Sequence, residues 1–137
     1  MELTATTRAA ITAGHLAHLA TVNADGSPHV TIVWVGLDGD TLVIGKLMED
    51  RKVANIRRDP RVSVSIEAEG DHMGMQNHLV IEGTAEVVPG GAPALLQELA
   101  HVYIGPDAVF PPMEDPPEGF TIRITPSKVR GMGPWAS

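Results

Sequence analysis

Two consecutive cations, Arg51 and Lys52, are the residues of this chain that point most directly to a chemical role. They follow Asp50, where the pattern predicts the start of a helix, and a strand-like apolar run (42–44) comes shortly before. The first turn of a helix usually carries acidic residues, because its free N–H groups and its dipole already supply positive charge. Cations at this place therefore predict a site for an anion such as a phosphate. A solvated pair of cations on a surface helix is the alternative.

The distribution of charge also favours one local anion site. The chain has a formal net charge of −7 and a pI near 5.2, which argues against general nucleic-acid binding because the phosphates would be repelled. Half of its ten basic residues nevertheless lie within eleven positions, namely Arg51, Lys52, Arg57, Arg58 and Arg61. The last three have a second explanation, because cations near a helix C-terminus are favourable.

Length and composition limit the class of protein. A chain of 137 residues predicts one domain, spanning 1–137, with a core that buries roughly two thirds of the unfolded surface. No apolar run approaches the roughly 20 residues that a membrane span needs, and the N-terminus has no signal-peptide pattern. We therefore expect a cytoplasmic protein that does not enter a membrane. The chain has no cysteine, which excludes disulfides, thiolate metal sites and cysteine nucleophiles.

The elements that must position the cations are mostly short strands. The pattern predicts strands at Leu16–Val22, His29–Val35, Thr41–Lys46, Val62–Ile66, His78–Val88 and Phe120–Thr125. It predicts helices from Met1 to about Gly14 and over Ala92–Ile104, with a third starting near Asp50. The links between strands are too short for parallel crossovers, so the prediction is a mainly β fold, a closed antiparallel barrel of six strands with flanking helices.

Three further segments are predicted as irregular or terminal structure. Glu67–Asn77 is polar and contains two glycines, which predicts a long loop between strands. Pro106–Gly119 is rich in proline and is expected to form a lid or a surface connection. Val129–Trp135 is expected to end the chain after the last strand.

The histidines do not form a convincing metal site. In an extended segment His15 and His18 point to opposite faces. His72 and His78 flank a loop together with Asp71, but a zinc site needs a further ligand at suitable geometry. We therefore predict no metal site.

Four segments in a characteristic order give the chain a family resemblance, namely 19–30 (LATVNADGSPHV), 51–63 (RKVANIRRDPRVS), 82–86 (EGTAE) and the terminal strand into 133–135 (GPW). With these the chain resembles the flavin- or deazaflavin-binding split β-barrel family typified by pyridoxamine 5'-phosphate oxidase. Within it, the chain is most similar to small actinobacterial enzymes that use the 5-deazaflavin coenzyme F420. The resemblance covers nearly the whole chain, and it implies a split barrel and an obligate homodimer with a cofactor groove between the protomers.

The resemblance also implies which residues bind the cofactor. The family places basic residues at the start of the helix after the third strand against the cofactor phosphate, which implies Arg51 and Lys52, with Lys52 at the more consistently used position. Backbone groups of the second and third strands follow the ring system and its ribityl chain, which implies Thr31, Ile32, Val33, Trp34, Ile44, Gly45 and Lys46. His78 and the region of Trp135 are the implied contacts from the partner protomer.

The implied activity is that of an F420-dependent reductase. It would transfer a hydride from the reduced deazaflavin to a small conjugated acceptor, such as an enone, a quinone, a coumarin or a tetrapyrrole-like molecule. The short chain, without the C-terminal Arg and His segment of the true oxidases, favours F420 over FMN. The F420 tail also carries carboxylates beyond the phosphate, for which Lys46, Arg57 or Arg58 would be partners.

Two alternative functions remain open. The first is an FMN-dependent oxidoreductase of the same fold, and the second is a non-catalytic protein that binds a flavin, a deazaflavin or a haem-like ring.

The source of the proton that the reduced acceptor needs is also open, and His78, Tyr103 and bulk water are the candidates. Trp34 and Met75 are possible walls of a substrate pocket, with core packing as the other explanation for Trp34.

Overall fold

The computed structural model describes residues 1–135, so the last two residues of the predicted domain lie outside the described part. Within it, an antiparallel sheet of seven strands is flanked by three helices. In chain order the elements are α1 (Ala5–Ile11), β1 (Ala17–Val22), β2 (Pro28–Val33), β3 (Gly36–Asp38), β4 (Thr41–Lys46), α2 (Arg51–Arg58), β5 (Arg61–His72), β6 (Met75–Pro89), α3 (Ala92–Tyr103) and β7 (Phe120–Met132).

The strand order of the sheet is β2-β1-β5-β6-β7-β4-β3, and neighbouring strands are antiparallel. The predicted mainly β, antiparallel fold is confirmed, whereas the prediction of six strands in a closed barrel is wrong. The predicted strand His29–Val35 divides after Val33, because β2 pairs with β1 while β3 pairs with β4 at the other edge of the sheet. Trp34 therefore lies at the break between the two edge strands.

The hairpin of β5 and β6 is longer than predicted. The segment Glu67–Asn77, predicted as a loop, continues both strands and turns at Met73 and Gly74. Both turn residues have positive φ angles, 54° and 80°, as tight hairpin turns require. Most side chains of this segment are exposed on both faces of the ribbon. It therefore lacks the apolar alternation that marks a half-buried strand, which explains the wrong prediction.

The two ends of the chain also differ from the prediction. The first helix is shorter than expected, and it begins after Thr4, whose side chain accepts a hydrogen bond from the Thr7 backbone N–H. At the other end, β7 runs without interruption from Phe120 to Met132, where two separate segments were expected.

The core lies on the inner face of the curved sheet and is almost entirely aliphatic. Its largest fully buried side chains are Ile11, Leu19, Leu42, Ile44, Ile66, Leu79, Ile81, Ile122 and Ile124. The alternation predicted for β5 is confirmed, because Val62, Val64 and Ile66 are buried in this core.

Two glycines allow α3 to pack closely on the sheet. A Cβ atom at Gly45 would lie 2.9 Å from Leu96 Cγ, and one at Gly36 would lie 2.9 Å from Leu99 Cδ2. A side chain at Gly45 would push the helix away from β4, and one at Gly36 would displace the end of the Leu99 side chain. The predicted helix Ala92–Ile104 is confirmed as α3, and the two glycines fix its distance from β4, the strand that carries Lys46.

No helix within residues 1–135 has both the length and the apolar character needed to cross a membrane.

Candidate functional site

A cavity of about 260 Å³ opens beside the break between β2 and β3. We call it the lysine cavity, and its lining residues are Leu16, Ile32, Val33, Trp34, Ile44, Gly45, Lys46, Lys52, Leu96 and Phe110. Eight of these ten residues are apolar, and the other two are lysines. Apolar walls with a few charged groups are typical of sites that bind cofactors and small molecules.

The structure brings together most of the residues predicted to bind a cofactor. Seven of them line the lysine cavity, namely Ile32, Val33, Trp34, Ile44, Gly45, Lys46 and Lys52. Three do not line it, namely Thr31, Arg51 and His78. For all ten residues, the role as a cofactor ligand stays a prediction.

The two lysines of the cavity are held by a single carboxylate. Asp50 is the N-cap of α2, and its Oδ1 accepts a hydrogen bond of 3.2 Å from the Val53 backbone N–H. Its Oδ2 accepts contacts from Lys46 Nζ at 2.8 Å and from Lys52 Nζ at 2.7 Å. The Lys52 side chain is only 9 % exposed. For Lys52, the structure therefore contradicts the alternative of a solvated surface cation.

The charges of this cluster do not cancel. Partial burial raises the pKa of Asp50, but hydrogen bonds from Lys46, Lys52 and the Val53 N–H outweigh burial and lower the pKa from 3.8 to about 2. Asp50 is therefore ionised at neutral pH, and together with the two ammonium groups it gives a net charge of +1. Each ammonium has three N–H donors, so both retain donors after contacting Asp50. The cluster can therefore bind an anionic group at the edge of the apolar cavity.

Arg51 lines a different cavity. This second cavity has a volume of about 510 Å³; we call it the arginine groove, and its lining residues are Asn23, Ala24, Asp25, Ser27, Arg51, Asn55 and Arg58. It lies between α2 and the turn that joins β1 to β2. Consecutive residues of a helix point about 100° apart, whereas residues seven positions apart share a face. Arg51 therefore diverges from Lys52 and shares the groove with Arg58.

A buried amide fixes the shape of the arginine groove. Asn55 Nδ2 donates to Thr21 Oγ1 and to Asn23 Oδ1, both at 3.0 Å, which ties α2 to the β1–β2 turn. Arg58 donates to Asn55 Oδ1 at 3.1 Å and to the Val22 carbonyl. Asn55 is therefore satisfied by the protein itself, and Arg58 is partly engaged in holding the turn.

One carboxylate lies beside these cations. The side-chain and backbone hydrogen bonds from Ser27 lower the pKa of Asp25, and the charge of Arg51 adds a smaller effect in the same direction. Asp25 thus offsets part of the positive charge in the groove.

Arg57, the third predicted partner for tail carboxylates, is placed elsewhere. Its guanidinium contacts the Glu49 carboxylate and lies 5.1 Å from the ring centroid of Phe120. It lines neither the lysine cavity nor the arginine groove.

Two polar atoms on β2 are buried without a hydrogen-bond partner within the described residues, namely His29 Nδ1 and Thr31 Oγ1. Alternation along a strand places His29, Thr31 and Val33 on one face, and Val33 lines the lysine cavity. Buried polar atoms normally have a partner, so such atoms call for a ligand or water. Thr31 was predicted from the resemblance, whereas His29 was not.

His78 lies away from both cavities in its own chain. It pairs with Met132 between β6 and β7, and its Nδ1 is 3.0 Å from the Gln76 carbonyl oxygen. The His78 carbonyl accepts a hydrogen bond of 3.0 Å from Trp135 Nε1. His78 therefore lines neither cavity in its own chain, and its role as a contact from the partner protomer stays a prediction.

Tyr103 has a structural role that competes with proton donation. Its hydroxyl accepts a hydrogen bond of 3.1 Å from the Val35 N–H and donates one of 3.0 Å to the His15 carbonyl. Burial raises the pKa of Tyr103, and its backbone contact with Val35 opposes this rise. Its ring stacks on Trp34 with centroids 5.5 Å apart. The hydroxyl proton is thus engaged by backbone, outside the cavity lining.

Sequence reasoning missed three of the cavity walls. Leu16 precedes β1, Leu96 belongs to α3, and Phe110 belongs to the proline-rich segment after α3. Leu96 had an indirect signal, because it packs on a position of β4 where only glycine fits. Trp34 does line the cavity, whereas Met75 is exposed on β6 and does not.

Within residues 1–135, no group of three or more His, Asp or Glu side chains is arranged to hold a metal ion.

Residues 3–133 match the sequence profile of the family described as pyridoxamine 5'-phosphate oxidase. The match covers nearly all of the chain. The chain belongs to this family. The predicted family and its split-barrel fold are thereby confirmed, with the correction to seven strands in an open sheet given above.

Solved structures of similar proteins agree with the family. An F420 reductase superposes with a TM-score of 0.74 and 27 % identity, over 90 % of this chain and 94 % of that one. Rv2991 from Mycobacterium tuberculosis gives a TM-score of 0.72 and 24 % identity, over 96 % and 86 % of the two chains. An FAD-binding protein from Mesorhizobium loti gives a TM-score of 0.68 and 23 % identity, over 94 % of each chain. The last two show the fold alone. Family and fold together are those of oxidoreductase-like proteins associated with flavin-type cofactors.

Proposed function

We propose that this protein is an F420-dependent reductase that directs a hydride to a small, flat, conjugated acceptor such as an enone, a quinone, a coumarin or a tetrapyrrole-like molecule. The observation that carries the proposal is the buried Lys52 ammonium, which shares Asp50 with Lys46 at the edge of an apolar cavity. The similarity to an F420 reductase at 27 % identity supports it.

The residues of the site fit the chemistry of a deazaflavin. Apolar walls suit a flat ring system, and the cluster of Lys46, Lys52 and Asp50 suits a phosphate because it has excess positive charge and free N–H donors. The unpartnered atoms of His29 and Thr31 lie on the same strand face and can bind further oxygen atoms of a ligand.

The arginine groove favours F420 over FMN. Arg51 directly precedes Lys52 in the chain, so a ligand whose phosphate is bound by Lys52 would extend toward Arg51 and Arg58, which line this groove. F420 carries carboxylates beyond its phosphate, whereas FMN ends at the phosphate. The deazaflavin therefore uses both sets of cations, and FMN uses only the lysines.

The chain's own residues bind, orient and shield the reactants. A reduced deazaflavin supplies the hydride when it is bound. Lys46 and Lys52 fix the phosphate end, and Val33 and Ile44 provide apolar walls that exclude water from the reacting ring. No side-chain nucleophile is required. The acceptor takes its proton from water or from His78, because the Tyr103 hydroxyl is engaged by backbone.

The proposal includes a homodimer. The lysine cavity, at about 260 Å³, is below the roughly 300 to 1,000 Å³ of typical ligand sites. Edge strand β2 also exposes two apolar side chains, Val30 at 58 % and Ile32 at 60 %, which is typical of a surface that pairs with another chain. A second copy seated on β2 completes the groove and brings His78 to it. One cofactor-binding domain over 1–137 and a cytoplasmic location complete the proposal.

Turnover of reduced F420 tests the proposed function. The protein is mixed anaerobically with reduced F420 and a panel of enones, quinones, coumarins and tetrapyrroles, and the visible absorbance of oxidised F420 is followed. We expect catalytic reoxidation with at least one class of acceptor. Tight binding of F420 without reoxidation by any acceptor would instead indicate a carrier, and turnover with reduced FMN alone would indicate the FMN enzyme.

A further inference from the structure

A fifteen-residue segment outside the sheet contributes Phe110 to the lining of the lysine cavity. We call this segment, residues 105–119, the strap; it leaves α3 and returns to β7. Its far end is held by backbone hydrogen bonds, from the Gly90 N–H to the Gly119 carbonyl at 2.7 Å and from the Ala92 N–H to the Glu118 carbonyl at 3.0 Å. Its near half is held by a side chain of α3.

That side chain is Gln97, which contacts the strap at two backbone positions. Gln97 Nε2 donates to the Ala108 carbonyl at 2.7 Å, and Gln97 Oε1 accepts from the Phe110 N–H at 2.9 Å. The amide nitrogen also lies 2.8 Å from His101 Nε2, one helical turn further on. One planar amide thus engages backbone on both sides of Val109, and it fixes the position of Phe110.

Phe110 is placed by this contact against the aromatic residues of the cavity. Its ring centroid is 5.2 Å from that of Trp34, with the planes at 60°, an edge-to-face arrangement. Trp34 in turn stacks on Tyr103 with an interplanar angle of 8°. Phe110, Trp34 and Leu96 all line the lysine cavity. Phe110 is the only one of the three that lies on the strap.

We propose that Phe110 is a specificity-determining residue whose ring packs against a flat conjugated acceptor, and that Gln97 is the positioning residue that holds it there. The inference rests on the proposed function and names the acceptor's contact. Flat aromatic molecules gain from edge-to-face or offset packing with an aromatic ring. Lys46 and Lys52 belong to β4 and α2, whereas Phe110 belongs to the strap. Changes at Phe110 should therefore alter the choice of acceptor and leave anchoring of the cofactor phosphate intact.

Trp34 provides a readout that does not depend on activity. The chain has two tryptophans, Trp34 and Trp135, so in the variant Trp135→Phe all tryptophan fluorescence comes from Trp34. Quenching of its fluorescence by a coumarin, added without cofactor, reports binding in the lysine cavity. In this background Phe110→Leu and Gln97→Leu should weaken coumarin binding about five- to tenfold, the size of one lost aromatic contact.

Two controls and one graded variant separate positioning from general damage. Val109→Ala changes the neighbouring strap residue, whose side chain is 77 % exposed, and Gln76→Leu removes an exposed glutamine of β6; both should bind coumarin like the parent. Gln97→Glu retains an acceptor for the Phe110 N–H and loses the donor to Ala108, so it should fall between the parent and Gln97→Leu. Equal coumarin affinity in the parent, Phe110→Leu and Gln97→Leu would overturn the inference.

Cofactor titration and kinetics distinguish failure of this inference from failure of the proposed function. In otherwise wild-type protein, Phe110→Leu should raise KM for the acceptor about five- to tenfold, with kcat and F420 affinity within about threefold. Equal weakening of F420 and coumarin by Phe110→Leu would assign the ring to the cofactor and overturn the inference. If wild-type protein does not bind F420, the proposed function fails, whereas the coumarin result still decides whether Phe110 is a ligand wall.

Discussion

Arg51 and Lys52 are consecutive residues of the first turn of α2, yet they line different cavities. Lys52 is buried against Asp50 beside an apolar cavity, while Arg51 is exposed over a polar groove next to the β1–β2 turn. The divergence follows from the rotation of about 100° per helical residue. The pair that the sequence indicates as one anion site thus forms two neighbouring positive sites, which suits a ligand with several anionic groups along its length.

Removal of the buried lysine should weaken cofactor binding most. Lys52→Ala deletes a charge-assisted contact worth about 1.5 to 3 kcal/mol, so the Kd for F420 should rise roughly 10- to 150-fold. Lys46 remains to pair with Asp50, which limits the effect on stability. Lys128→Ala, at an exposed lysine of β7, is the matched control and should bind F420 normally. Isothermal titration calorimetry measures both; an unchanged Kd for Lys52→Ala would remove this residue from the site.

Arg51 should discriminate between the two candidate cofactors. Arg51→Ala removes an exposed cation from the arginine groove, so F420 affinity should fall about two- to fivefold, and by more at low ionic strength. FMN has no carboxylates beyond its phosphate, and its affinity should not change. Arg57→Ala, at the arginine paired with Glu49, serves as the control. Parallel losses for F420 and FMN would show that Arg51 contacts the shared phosphate instead.

Acid should weaken the Asp50 cluster. The pKa of Asp50 is lowered to about 2 in the folded state, from 3.8 in the reference state, so its contribution to stability is present above about pH 4. It is lost as pH falls toward 2. With allowance for solvent screening of a partly exposed group, we expect the ionised Asp50 to contribute about 1 kcal/mol to the free energy of unfolding. Urea unfolding of wild type and Asp50→Asn should differ by this amount at pH 6 and converge near pH 2. A constant difference across this range would contradict the assignment.

Tyr103 should matter for stability more than for turnover. Tyr103→Phe leaves the Val35 N–H without its partner, which should cost about 1 to 3 kcal/mol of unfolding free energy. The kcat for acceptor reduction should stay within about threefold, because another group supplies the proton. Thermal unfolding and steady-state kinetics measure the two effects. A loss of kcat beyond a hundredfold, with stability unchanged, would identify Tyr103 as the proton donor after all.

The edge strand offers a test of the shared groove. Val30 is exposed on β2 and lines neither the lysine cavity nor the arginine groove, so Val30→Lys should act on F420 binding only through the dimer. Light scattering should show a dimer for wild type and a monomer for Val30→Lys, with F420 affinity reduced at least tenfold. Val109→Lys, at a comparably exposed valine of the strap, should remain dimeric. A monomeric wild type that binds F420 tightly would exclude the shared groove.

Helix α3 and strand β5 could be predicted because each has a buried face that imposes a period on the sequence, whereas α2 was predicted from its start near Asp50. The hairpin around Met73 could not be predicted, because a two-stranded ribbon exposed on both faces imposes no hydrophobic period on the sequence. The separation of β2 from β3 at Trp34 also escaped prediction. Strand propensity does not specify which partner a strand pairs with, and here successive segments pair at opposite edges of one sheet.

The charged residues of the site could be predicted from the sequence, whereas the residues brought to it by packing between distant segments could not. Lys52 was indicated by a cation in the first turn of a helix, and the β4 residues followed from the resemblance. Phe110 and Leu96 enter the cavity from segments about fifty residues further along the chain, and neither has a local signal of its own. No sequence pattern indicates the role of Gln97, because that role depends on where the strap passes over α3.

The central claim is most directly tested by titrating the wild-type protein with F420 and, under identical conditions, with FMN. Because Lys52 would bind the phosphate and the arginine groove would bind the carboxylates beyond it, we expect saturable binding of F420 that is tighter than binding of FMN. We also expect F420 binding to weaken as salt is added. Binding of FMN more tightly than F420, or binding of neither, would contradict the account.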